Sequence, residues 1–74
     1  MKEIFKQIKN NHPDYLIIIK NNNLGQIYEN DAIMAKDILG IELNKNGVLC
    51  FSFELLDSIL VELIRNGIKV AVRE

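Results

Sequence analysis

The sequence contains one cysteine, one proline, one histidine and no tryptophan in 74 residues. A single thiol, Cys50, cannot close an internal disulfide, and His12 has no second histidine or cysteine nearby with which to hold a metal. The longest unbroken apolar run is Tyr15–Ile19, far short of the ~20 residues that cross a bilayer. No basic segment leads into an apolar core and a small-residue cleavage site, so the expected compartment is the cytoplasm, with no membrane partner. Nine Lys and Arg against ten Asp and Glu leave a formal net charge of -1, without the basic excess of domains held to DNA mainly through phosphates. Strong non-specific DNA binding is therefore not expected. A local basic patch from Lys20, Lys45, Lys69 and Arg73 would need the fold to bring them together.

Catalytic signatures are missing as well. There is no glycine-rich phosphate loop, no paired histidines, no clustered cysteines and no serine in a nucleophile elbow. Asp31 and Asp37 fall near the ends of one predicted helix, and Glu54, Asp57 and Glu62 fall on the polar side of another, as on a solvated face. No catalytic residue, metal ligand, cofactor or small-molecule substrate is assigned, and the protein is expected not to be an enzyme.

What is present is the composition of a folded chain, 49% apolar and 26% charged, of a length that fits a single domain over residues 1–74. Ile4, Phe5 and Ile8 share one face of a helix over Lys2–Asn11, which Pro13 stops, with His12 as its boundary residue. Tyr15–Ile19 has no polar alternation and reads as a central strand covered on both faces. Asn21-Asn22-Asn23 supply a turn, and Leu24–Tyr28 reads as the returning strand of a hairpin, weakened by Gly25. Asn30 or Asp31 can cap a second helix, in which Ala32, Ile33, Ala35, Ile38 and Leu39 form the stripe and Gly40 the left-handed stop.

A second hairpin is expected from Ile41–Leu43, the turn Asn44–Gly47 and Val48–Phe51, where Cys50 reads as a small buried hydrophobe. A third helix starts at Ser52 or Phe53, with Leu55, Leu56, Ile59, Leu60, Leu63 and Ile64 on its apolar face. Asn66-Gly67 closes it before a half-exposed strand in which Ile68, Val70 and Val72 alternate with Lys69, Ala71 and Arg73. The order α-β-β-α-β-β-α-β predicts an α+β domain, three helices on a small mixed sheet of about five strands.

Taken in order, Gln7–Asp14, the apolar strand after it, Tyr28–Ala32, Ala35–Ile41 and Leu63–Val72 resemble the N-terminal, mismatch-recognition domain of the MutS family of DNA mismatch-repair proteins. The resemblance covers nearly the whole chain. It implies the family's α+β fold and a hairpin that meets DNA, with the Phe of an F-x-E motif stacking on a mispaired base and the Glu hydrogen-bonding it. Those positions are Leu24 and Gln26 here, an apolar wedge without a π face and an amide without the carboxylate. The family's preceding Gly-Asp is Asn22-Asn23, its intervening Tyr is Gly25, and its G-I-P-x-H turn corresponds to Cys50–Glu54.

Lys20, Asn22, Asn23, Leu24 and Gln26 are accordingly the candidate DNA-contacting residues, in a reader motif degraded from the family's. The implied partner is DNA, mismatched or distorted and weakly held. The alternative is a protein-interaction module that kept the fold and lost DNA reading, with a protein partner or a second copy on an exposed sheet edge. The clamp, lever and ATPase regions of the family are missing, and Met1 just before the first helix favours a complete short protein over a fragment.

Overall fold

The apolar spacing of Ile4, Phe5 and Ile8 produces helix α1, Lys2–Asn11, in the computed structural model, which describes residues 2–74. The chain then forms β1 (Leu16–Asn21), β2 (Leu24–Ile27), α2 (Glu29–Leu39) and β3 (Leu49–Ser52). A 3-10 turn, Phe53–Leu55, leads into α3 (Leu56–Arg65), and β4 (Val70–Arg73) ends the fold. The strands form one mixed sheet in the order β3-β2-β1-β4, antiparallel at β3/β2 and β2/β1 and parallel at β1/β4. This is the α+β architecture read from the sequence, with four strands where about five were expected.

β1 explains why its sequence lacks polar alternation. Leu16 through Ile19 are each at most 2% exposed because both faces of the sheet are covered. Leu16, Ile18, Ile27, Leu49 and Phe51 pack against Ala32 and Ala35 of α2 and Ile59 and Leu63 of α3. Ile17, Ile19, Tyr28 and Val48 pack on the other face against Phe5 of α1. Gly40, at φ +70°, ends α2 through its N–H to Lys36 O, the left-handed stop that its glycine predicts.

The missing strand is Ile41–Leu43. These residues are not paired to the sheet, because Ile41 and Leu43 turn inward onto the core beneath α2 and α3. The turn after them does form: Asn44 Oδ1 accepts from the N–H groups of Asn46 and Val48, and Asn44 N–H donates to Val48 O. A side chain thus does the work that a ladder would have done. Two other differences lie on helices. Leu55 and Ile64, expected on the buried stripe of the third helix, are 51% and 62% exposed, and Ile33 of α2 is exposed as well.

Asp31 departs furthest from expectation. It neither caps α2 nor sits on a solvated face, but is 3% exposed inside the helix's first turn. The β1–β2 pairing runs only to Ile19↔Gln26, since the chain after Ile27 leaves the sheet for α2. The Ile17 N–H would otherwise be orphaned, and Asp31 Oδ2 accepts from it at 3.1 Å. Asp31 Oδ1 takes Lys9 Nζ at 2.9 Å, and the same ammonium donates to Tyr15 O. One carboxylate therefore ties α1, β1 and α2 together at the end of the sheet remote from the β1–β2 turn.

Candidate nucleic-acid interface

The two strands β1 and β2 are joined by the two-residue turn Asn22-Asn23, in which Asn22 adopts φ +58°. Asparagine tolerates this left-handed conformation better than most side chains, which is the physical reason for it here. Both turn residues are exposed. Leu24 opens β2 beside them and is 43% exposed, an apolar side chain standing in solvent at the rim of the sheet.

Period-two alternation places Gln26 on the same face as Leu24, about 7 Å further along the strand. That face is the one α1 covers lower down. Gln26 Oε1 accepts from Tyr28 Oη at 2.8 Å and from Asn21 Nδ2 at 3.5 Å, while its Nε2 lies 3.9 Å from Cys50 Sγ. Burial, with a smaller contribution from the neighbouring Cys50, pushes the Tyr28 phenol above its ordinary value, which keeps it a donor. Cys50 is half-buried rather than fully buried: it packs against the core under α1, and its Sγ also faces these polar groups.

Lys20 points the other way. It pairs with Gly25 in the ladder, on the face of α2 and α3, and its Nζ stands 5.1 Å from the Phe53 ring centroid. The sheet rim thus brings Asn22, Asn23 and Leu24 together with Gln26 and separates Lys20 from them. Arg73, Lys69 and Lys45 do not converge on them either. Arg73 registers with Ile19 on the α1 face, Lys69 precedes β4 at the far end with its Nζ 6.0 Å from the Tyr15 ring, and Lys45 sits in the turn before β3.

Tyr28, Asn21 and Cys50 were not foreseen as parts of this surface. Reading residues 24, 26 and 28 at strand spacing would have found Tyr28. Asn21 and Cys50 needed the register, which places them opposite Leu24 and Gln26. Among the described residues no group of three or more His, Cys, Asp or Glu could hold a metal ion, and no helix is long and apolar enough to cross a membrane.

Comparison with known proteins shows the family. The family model for MutS domain I matches residues 1–74. The DNA mismatch repair protein MutS of Phocaeicola vulgatus is 38% identical over 80 residues, covering 97% of this chain and 9% of that protein. Its counterpart in Bacteroides thetaiotaomicron is 36% identical over 80 residues with the same coverage, and that of Rickettsia prowazekii 31%. The chain spans 9% of the length of each of these relatives. With the whole of residues 1–74 matched and relatives up to 38% identical over 97% of its length, the chain belongs to the MutS domain I family.

Proposed function

We propose that this chain is a mismatch-recognition module with a weakened base reader, contacting mismatched or distorted DNA feebly through the rim residues Asn22, Asn23, Leu24 and Gln26, with Lys20 on the flank. Residues 1–74 act as one non-enzymatic domain in the cytoplasm. The observation that carries this reading is the exposed Leu24 at the hairpin rim, beside a Gln26 whose carbonyl is already occupied by Tyr28. Leucine can wedge into a base step, but it lacks the aromatic face whose stacking is worth ~1–3 kcal/mol per base. The scattered cations support weak rather than strong attraction to phosphates.

Fluorescence anisotropy against matched duplex, mismatched duplex and a junction, at two salt concentrations, tests the proposal. Weak or undetectable binding to matched duplex and a modest preference for the other two are expected. Nanomolar affinity for the mismatch would contradict it.

A second reading, a protein-interaction module, is favoured by the apolar side chains left in solvent. Leu55, Val61 and Ile64 are 51%, 47% and 62% exposed on α3 and the turn before it. Self-association through them would appear as a concentration-dependent mass in light scattering. A strict monomer that binds mismatched DNA would remove this reading.

A further inference from the structure

Two amide side chains beside the β2–β3 ladder, Gln26 and Asn44, spend their oxygens within the protein and keep N–H groups in reserve. Gln26 Oε1 is taken by Tyr28 and Asn21, and Asn44 Oδ1 by the N–H groups of Asn46 and Val48. On the nitrogen side, Gln26 Nε2 and Asn44 Nδ2 both converge on Cys50 Sγ, at 3.9 and 3.8 Å. A thiol sulfur is a weak acceptor, and each amide carries a second N–H that it does not use. Gln26 and Asn44 line a cleft of about 450 Å³ together with Lys2, Tyr28, Asn46 and Val48. No carboxylate lines it. The Lys2 ammonium and the Asn46 side-chain amide have no hydrogen-bond partner among the described residues.

The unspent capacity of the cleft is thus mainly N–H donors and one positive charge, with the Asn46 carbonyl as its free amide acceptor. Its complement is an oxygen-rich anion. We propose that this cleft is a phosphate subsite, seating a backbone phosphodiester of nucleic acid. Lys2 supplies the charge, and Gln26 Nε2 and Asn44 Nδ2 donate to the non-bridging oxygens. The assignment rests on the DNA reading above, since Gln26 lies two residues from Leu24 on one strand face and a phosphate held here leaves Leu24 against the neighbouring nucleotide. Glu29 lines the adjoining cleft with Lys2 and Asn46, and its charge opposes the anion. Glu29→Gln therefore strengthens binding.

Free phosphate has the same chemistry, so the test separates the two. Nitrogen–proton correlation NMR of the full chain observes the side-chain NH2 groups directly. The probes are a thymidine tetranucleotide, inorganic phosphate and the nucleoside thymidine. The Gln26 and Asn44 NH2 signals are expected to move with the tetranucleotide and stay still with thymidine. Lys2→Ala should abolish the movement, and Lys69→Ala, beside the opposite sheet edge, should preserve it. In anisotropy with mismatched duplex, Lys2→Ala should also lower the log–log salt slope by about 0.9.

Movement with thymidine alone, or stillness with both phosphate-bearing probes, overturns the subsite. Movement with inorganic phosphate but not with the tetranucleotide overturns its assignment to nucleic acid. If the Leu24 signals respond to the tetranucleotide while the cleft is silent, the subsite fails and the DNA reading stands.

Discussion

Gly25 and Phe51 face one another across the β2–β3 ladder, and the Phe51 ring fills the space that a side chain on Gly25 would need. A Cβ built on Gly25 would come within 2.5 Å of Cε2 and 2.8 Å of Cε1, and closer still to Cζ. Glycine weakens a strand on its own, but here an aromatic residue across the ladder covers its backbone and restores the buried area. Gly25→Ala is expected to destabilise the fold by about 1–3 kcal/mol through overpacking. In the background of Phe51→Ile the same substitution should cost much less. Urea unfolding of the two single variants and the double variant measures this coupling, and additive losses would show that ring and glycine are independent.

Asp31 gives a second test of the packing. Asp31→Ala leaves the buried Ile17 N–H without its acceptor and leaves the partly exposed Lys9 ammonium only the Tyr15 carbonyl, and is expected to cost about 1–3 kcal/mol. Asp31→Asn retains an acceptor oxygen and should lose less. Chemical denaturation that ranks the two variants equally would remove the hydrogen bond to β1 from the explanation.

Alkaline pH should act through Tyr28. Burial raises its folded-state pKa above the ordinary 10.0, so the folded chain holds this proton more tightly than the unfolded one. The stability contributed is then complete below the unfolded value and is lost as pH rises from about 10 through the folded value. The urea midpoint of the parent chain should fall over this range more steeply than that of Tyr28→Phe. Equal slopes would mean that the phenol is not the group responsible.

Glu29 opens α2 at φ +53°, the left-handed region that costs a residue with a side chain ~1–2 kcal/mol. Glu29→Gly should therefore raise stability by about 0.5–1 kcal/mol, in spite of glycine's greater freedom in the unfolded chain. Thermal unfolding checks the sign, and a lower midpoint would contradict it.

The fold was legible wherever one local pattern determined the outcome. Leu16–Ile19 of the apolar run form a strand covered on both faces, while Tyr15, read as part of it, stays exposed ahead of β1, and Gly40 supplies the left-handed stop its residue type announces. Ile41–Leu43 failed because alternation is compatible with either a strand or a segment that inserts two side chains into a core, and only tertiary packing decides. Asp31 failed for a related reason: its acceptor role depends on an N–H that becomes orphaned fourteen residues away. At the candidate interface, Leu24 and Gln26 were singled out by the family resemblance, and strand spacing adds only that they share a face. Tyr28's hold on the Gln26 carbonyl and the separation of Lys20 onto the other face required the register.

Contact with DNA depends most on what stands at the rim of the β1–β2 hairpin. Anisotropy titration of one mismatched duplex with the parent chain and with Leu24→Phe addresses it directly, because the substitution adds an aromatic face at the exposed position and changes no charge. Tighter binding by the variant, by roughly 5- to 160-fold if the added stacking is worth ~1–3 kcal/mol, is the predicted result. Identical affinities, or a parent chain already at nanomolar strength, would contradict the claim that a weakened hairpin touches DNA through Leu24.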